Sequence, residues 1–133
     1  MKVGLDTNVL LRLGDDLEPA QQQRARAFVV ALGPGNAFVG SIVLAEFAWT
    51  LRRHYKLSHD EIANRIAIIL DSPEFVIADA FETERALLRY RRGPADFADY
   101  LLAEINRSRG CSATASFDTD AVKSGDPFVP IPA

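Results

Sequence analysis

The sequence has 133 residues, 48% hydrophobic and 25% charged, which is typical of one soluble domain spanning residues 1–133. Fifteen Lys and Arg residues against eighteen Asp and Glu residues give a net charge of −3, which argues against a generally basic protein that coats nucleic acid but not against a site-specific enzyme. Cys111 is the single cysteine, so an intrachain disulfide and a cysteine zinc cluster are excluded, and this cysteine content fits the reducing cytoplasm. The longest apolar stretch, residues 42–51, is too short to cross a bilayer.

In chain order, short apolar runs alternate with segments of helical periodicity. The predicted strands are residues 2–5, 37–39, 75–77, 111–115 and 128–131. The predicted helices are residues 7–13, 18–32, 41 to about 55, 58 to about 70, 79–91 and 95–107. Ser41 and Ser58 are expected to cap helices, and Glu61 follows Ser58 at the spacing of a capping box. Strands that alternate with helices indicate an α/β protein with a parallel sheet, in which ligands lie beyond the carboxyl ends of the strands.

The first two carboxylates of interest are Asp6 and Glu46. Asp6 directly follows the first predicted strand, where it is either an ordinary helix N-cap or a site residue. Glu46 has almost only apolar neighbours within one helical turn, so we expect its helix to be buried on most sides. A carboxylate in such surroundings is costly unless it pairs with an arginine or binds a metal ion, and we favour the metal ion.

Three further carboxylates lie late in the chain. Asp96 and Asp99 are three residues apart on one side of a helix start, which is either a solvated acidic surface or part of a site. Asp118 follows an apolar strand, and there we favour a site residue over a turn or helix cap. For Asp120, two residues later, the cap is an adequate explanation.

The carboxylates predict a site for a hard cation. Carboxylate oxygens suit Mg²⁺ or Mn²⁺, and zinc is disfavoured because His54 and His59 are the only histidines and both stand at predicted helix ends. Without the five candidate acids the rest of the chain is mildly basic. An acidic pocket that holds cations could therefore accept a polyanion.

The order of these acids resembles the PIN-domain ribonucleases, and within them the VapC-type toxins of prokaryotic toxin–antitoxin pairs. The matching stretches are VGLDTNVL (residues 3–10), SIVLAE (41–46), ADFADYLLA (95–103) and ATASFD (113–118), which span nearly the whole chain. The resemblance implies a three-layer sandwich with helices on both faces of a short, mostly parallel sheet. It also implies an endoribonuclease that hydrolyses RNA phosphodiester bonds with a water activated by one or two Mg²⁺ or Mn²⁺ ions. The acidic quartet would be Asp6, Glu46, Asp99 and Asp118, with Asp96 as a further metal ligand.

Three short polar residues adjoin this quartet. Thr7, Asn8 and Ser116 are expected to orient a carboxylate, a water or a phosphate, unless they make only local backbone hydrogen bonds. The resemblance further implies a VapB-type antitoxin as partner, a homodimer, and no membrane association.

Several other patterns have two interpretations each. The apolar positions of the helix after Ser58 form either a dimer face or, more commonly, core: Ile62, Ile66, Ile69 and Leu70. Two groups of basic residues either position phosphates or are solvated helix faces: Arg52, Arg53 and Lys56, and Arg85, Arg89, Arg91 and Arg92.

Two other kinds of protein are alternatives. A receiver-like phosphoacceptor needs paired acids after the first strand, where Asp6 has no acidic neighbour, and a dehalogenase-type phosphatase needs Asp-x-Asp, where position 8 is Asn. A non-nuclease binding module would use the acids only as caps and salt-bridge partners. In that case divalent metal would not raise its melting temperature.

Overall fold

The strands pair in parallel, as their alternation with helices predicts, but they form two sheets. In the computed structural model, which describes residues 1–133, the elements are β1 (Val3–Gly4), α1 (Thr7–Leu13), α2 (Pro19–Leu32), β2 (Ala37–Val39), α3 (Ser41–Arg53), α4 (His59–Asp71), β3 (Phe75–Ile77), α5 (Ala80–Arg92), α6 (Phe97–Ser108), β4 (Thr114–Ser116), α7 (Thr119–Lys123) and β5 (Phe128–Pro130). One sheet has the order β1-β2-β3 and the other pairs β4 with β5. The α/β class with a short parallel sheet and surrounding helices is confirmed.

The sheet register brings the ends of the first three strands to one edge. Val3 is opposite Ala37, and Ala37 is opposite Phe75, so β1 and β3 flank the central β2, whose Ala37 and Val39 are fully buried. Parallel strands require crossover connections, which here contain the helices α1, α2, α3 and α4. The loop after β1 therefore opens directly into α1, and that is where Asp6 lies.

Local capping chemistry explains most helix starts. Ser58 and Glu61 form the predicted capping box at the start of α4. Pro19 occupies the first turn of α2, where its missing N–H is not needed. The prediction of Ser41 as a cap is wrong, since Gly40 is the N-cap of α3 and the Ser41 hydroxyl instead hydrogen-bonds Asp79 Oδ2 at 2.9 Å.

Helix α7 is absent from the predicted helices, the last of which is residues 95–107. Asp118 caps this five-residue helix by accepting a hydrogen bond from the Ala121 N–H at 2.9 Å. The strand before it, β4, is also shorter than predicted and begins at Thr114, after Cys111 and its polar neighbour Ser112. The prediction was too long because a short apolar run does not mark where sheet pairing begins.

The prediction that α3 is buried on most sides is wrong. Leu44, Phe47 and Leu51 face a single hydrophobic cluster of 24 buried residues, but Glu46 is exposed and Trp49 is 50% exposed. α3 packs on α1, α4 and α6 with one side, and its other side is left open to solvent. That open side carries part of the candidate site.

The predicted apolar positions of α4 are mainly core. Ile62, Ile66 and Ile69 are buried in the hydrophobic cluster, and Leu70 packs against it. None of the helices combines the length and the apolar character needed to cross a bilayer.

Candidate active site

Asp6 is held at the junction between β1 and α1. Its Oδ1 accepts hydrogen bonds from the N–H groups of Asn8 and Val9, at 2.9 and 3.2 Å, so it is the N-cap of α1. Its other carboxylate oxygen makes no hydrogen bond to the protein, and the residue is exposed. The cap fixes the carboxylate in place and leaves one oxygen available for a ligand.

Glu46 is joined to this junction by a hydroxyl. Thr7 Oγ1 donates a hydrogen bond to Glu46 Oε1 at 2.8 Å, and thus links the start of α1 to α3. Asp6 and Glu46 line the same cavity of about 460 Å³, together with Asn8, Trp49 and four further residues. Glu46 has no arginine or lysine within ion-pair distance, so the alternative of a buried Glu–Arg pair is wrong.

Asp99 lies in the first turn of α6, partly buried, and accepts a hydrogen bond from the Asp96 N–H at 3.2 Å. Burial raises the pKa of the Asp99 carboxyl above its ordinary value, and the negative charges of Asp118 and Asp96 raise it further. The Asp96 N–H and the Arg52 guanidinium act in the opposite direction. Ionising Asp99 therefore carries a free-energy cost, which a nearby cation would relieve.

Asp96 already has a cationic partner. Its Oδ1 forms an ion pair with the guanidinium of Arg52 from α3, and it is the N-cap residue of α6. This pair connects α3 to the start of α6, which carries Asp99. Asp96 is thus placed beside the other acids but differs from them in being neutralised by the protein.

Asp118 and Ser116 adjoin each other at the end of β4. The Ser116 hydroxyl accepts a hydrogen bond from the Asp118 N–H at 2.9 Å, while the Asp118 carboxylate caps α7. Asp118 is exposed, and its charge acts on Asp99. Asp120 makes no side-chain hydrogen bond or ion pair.

The carboxylates do not converge on one point. Asp6 and Glu46 share one cavity, whereas Asp96 and Asp99 line a neighbouring cavity of about 190 Å³, and Trp49 is part of the wall of both. No group of three or more Asp, Glu, His or Cys side chains is close enough to hold a metal ion between them. The expectation of a single acidic cluster is therefore wrong, because each carboxylate is oriented by its own cap, hydroxyl or guanidinium instead of a common centre.

This donor set still fits a hydrated hard cation. Mg²⁺ keeps several of its waters and is usually bound by only one or two carboxylates together with substrate phosphates, which a pair such as Asp6 and Glu46 can provide. The exposure of these oxygens leaves room for the waters. A fully enclosed ion such as structural zinc, which needs four protein ligands, does not fit.

The basic residues of α5 have mostly structural partners. Arg89 hydrogen-bonds the carbonyl of Asp126 at 2.5 Å, Arg91 contacts Asn64, and Arg85 pairs with Glu104 on α6 at 2.9 Å. Arg92 is exposed and makes no ion pair. In the other basic group, Arg52 pairs with Asp96 and Arg53 lies over the Trp49 ring.

The sequence alone did not single out two residues near the candidate site. Glu104 is only 2% exposed, and it occupies the buried stripe of α6 with Phe97, Tyr100 and Leu101, a helical spacing that could have revealed it. Trp49 belongs to the apolar stretch of residues 42–51, and its exposure beside the acids could not be read from the sequence.

Comparison with known proteins identifies the family. A family model described as PIN domain matches residues 3–125. The matched region includes all five candidate acids and every strand except β5. No curated protein matches the sequence.

Proposed function

The chain belongs to the PIN domain family, whose members are generally nucleases, and from this premise we propose that it is a metal-dependent endoribonuclease. The proposed metal ligands are Asp6, Glu46, Asp99 and Asp118, with one or two Mg²⁺ or Mn²⁺ ions. The observation that carries the proposal is the contact of Thr7 with Glu46, which brings residues 40 positions apart, Asp6 and Glu46, into one exposed acidic cavity.

The protein groups have distinct roles in this proposal. Thr7 holds Glu46 toward Asp6, and the cap geometry of Asp6 leaves one carboxylate oxygen for binding. Asp96 and Arg52 position Asp99, so we assign Asp96 a positioning role ahead of its predicted role as a ligand. A bound divalent cation supplies charge neutralisation of the scissile phosphate and an activated water.

RNA is the proposed substrate, and only a small part of the protein surface carries positive charge available to bind it. The whole chain is acidic, with a net charge of −3, so binding cannot rest on a general basic surface. Arg53 and Lys56 are exposed near the end of α3 without ion-pair partners. Arg53 lies over Trp49, which lines the acidic cavity, and is therefore available to an RNA phosphate there.

We further propose that the protein is the toxin of a toxin–antitoxin pair in the cytoplasm, with a VapB-type antitoxin and a homodimeric state. A mainly apolar cavity of about 470 Å³ between α1, α2 and α4 includes Arg26 and Arg65 among its lining residues. Such a surface suits an amphipathic, acidic segment of an antitoxin. Exposed Phe81, Leu88 and Leu102 on α5 and α6 offer apolar area for a dimer.

The nuclease proposal is tested by cleavage of total RNA with Mg²⁺ or Mn²⁺, with the cut ends mapped. Asp6→Asn and Asp118→Asn should abolish cleavage and keep the fold, because Asn caps helices about as well as Asp. Asp120→Asn is the matched control, since Asp120 is exposed and makes no side-chain contact, and it should retain full activity.

Two outcomes would contradict the proposal. Full cleavage in EDTA would exclude the metal-dependent reaction, and a stable acylphosphate without cleavage would favour a phosphoacceptor instead. The toxin role is tested by expression in a bacterial host, where the wild type should arrest growth and Asp6→Asn should not.

A further inference from the structure

Trp49 is placed in a way that packing alone does not explain. It is the single tryptophan of the chain, and half of its surface is exposed although the buried side of α3 lies next to it. It forms part of the wall of both the Asp6–Glu46 cavity and the cavity beside Asp96 and Asp99. An aromatic ring therefore stands between the two places where the acids lie.

The indole is oriented by two neighbours at the end of α3. The Arg53 guanidinium lies over the Trp49 ring, 5.4 Å from its centroid, and the His54 ring approaches edge-on at 5.9 Å. With both neighbours in place, Trp49 is still 50% exposed. The ring is thus held in place before any ligand arrives.

Glu46, Trp49 and Arg53 follow one another along a single side of α3. Their spacing of three and four residues places them on adjacent turns, and the row from Glu46 to Arg53 is about 10 Å long at the helical rise. An acid, an aromatic face and a guanidinium thus succeed each other from the candidate metal site outward. These three protein groups match, in the same order, a metal-bound phosphate, an unpaired base and a further phosphate of one RNA strand.

We propose that Trp49 is a positioning residue that stacks an unpaired base of RNA next to the cleaved phosphate, with Arg53 near a neighbouring phosphate. This inference rests on the proposed nuclease function. Aromatic side chains bind single-stranded RNA in this way because every base has a stacking face, whereas paired bases are already stacked. The ring is bordered by the charged side chains of Asp6, Glu46 and Arg53, which disfavours an apolar protein segment, and a bound divalent cation would offset the two carboxylates for RNA.

The single tryptophan makes the proposal directly measurable. Oligoadenylate of about eight nucleotides, added with Mg²⁺ at low salt to the Asp118→Asn variant so that it is not cleaved, should quench the intrinsic fluorescence, whereas the same length of duplex should not. All binding measurements, including those of the Trp49 variants, use this Asp118→Asn background. Affinity is measured separately by anisotropy of a labelled oligoadenylate. Trp49→Ala should bind roughly tenfold more weakly, and Trp49→Phe, which keeps an aromatic face, should stay close to the wild type.

Kinetics provide a second readout. Trp49→Ala should raise KM for single-stranded RNA by a similar factor, with a smaller effect on kcat. Phe28→Ala is the matched control, because Phe28 is also a half-exposed aromatic residue but lies on α2 outside both cavities, and it should change neither KM nor affinity. Unquenched fluorescence with unchanged binding by Trp49→Ala would overturn the proposal, as would a change in oligomeric state as the only effect of that variant.

The two proposals fail differently. If the wild type cleaves RNA and Trp49→Ala cleaves it with the same KM, the stacking inference is wrong and the nuclease assignment stands. If Asp6→Asn still cleaves while oligoadenylate quenches Trp49, the assignment of the acids is wrong and the stacking surface stands.

Discussion

Arg85→Met should destabilise the protein much more than its exposed position suggests. Glu104, its partner, is only 2% exposed, accepts the Arg85 Nε–H at 2.9 Å through Oε1, and has no hydrogen-bond partner for its buried Oε2. Removing the partner of a buried charge costs about 3–5 kcal/mol. Because the Arg85 side chain is 44% exposed and water reaches the pair from that side, we expect the lower end, about 3 kcal/mol.

The chain length converts this free energy into a melting temperature. For 133 residues, an unfolding entropy of about 2.1 cal/mol/K per residue gives about 0.28 kcal/mol/K. A loss of about 3 kcal/mol then lowers the melting temperature by about 10 °C. Thermal and urea unfolding monitored by circular dichroism measure this change. Methionine retains the apolar part of the side chain and removes the guanidinium, whose carbon lies 5.8 Å from the centroid of the Phe81 ring.

Two further variants separate the ion pair from other effects. Arg92→Met removes an unpaired arginine from the same helix and should cost less than about 1 kcal/mol. The double variant Arg85→Met with Glu104→Met removes both charges and should recover most of the loss, since apolar replacement of a buried pair is often nearly neutral. A melting temperature of Arg85→Met within about 2 °C of the wild type would refute the reasoning, because Glu104 would then not depend on Arg85.

Three more predictions concern the acids and the tyrosine beside them. The pKa of Asp99 is raised, so the stability due to Asp99 is present at low pH and is lost as the pH rises through the folded-state pKa. Asp99→Asn in EDTA at neutral pH should therefore melt at or above the wild type while cleaving no RNA. A lower melting temperature of this variant would contradict the prediction. Divalent metal at ten times its Kd should stabilise the wild type by about 1.4 kcal/mol, or about 5 °C, and should have little effect on Asp6→Asn, as followed by thermal scans with EDTA reversal. Burial and then the charge of Asp96 raise the pKa of Tyr90 to about 12, so its contribution to stability should be complete below about pH 10 and fall by about 2–3 kcal/mol toward pH 12. Urea unfolding across that range should show a shallower loss for Tyr90→Phe, and an identical slope would count against the assignment.

Much of the local structure could be predicted because it depends on neighbouring residues. The bounds of α1, β2 and β3 agree with the prediction, and the capping box of Ser58 is present. Those features are set by hydrophobic periodicity and by hydrogen bonds between residues three or four apart, which the sequence displays directly. The alternation of strands and helices also led correctly to parallel pairing.

The candidate site was only partly predictable. The acids were recognised by their order along the chain, but nothing local in the sequence showed that Arg52 would pair with Asp96, 44 residues away, or that Thr7 would bind Glu46 across 39 residues. The expectation of a buried Glu46 was wrong because an apolar sequence does not reveal which side of a helix lacks a packing partner.

The sequence by itself therefore determined the elements, their parallel arrangement and the types of chemical group available, since these follow from periodicity, capping and side-chain chemistry over short distances. Only the tertiary structure decided that the acids occupy two adjoining places, that Trp49 stands exposed between them, and that Glu104 is buried. Those outcomes depend on which surfaces of α3, α5 and α6 meet, and helix packing is set by contacts between residues far apart in the chain.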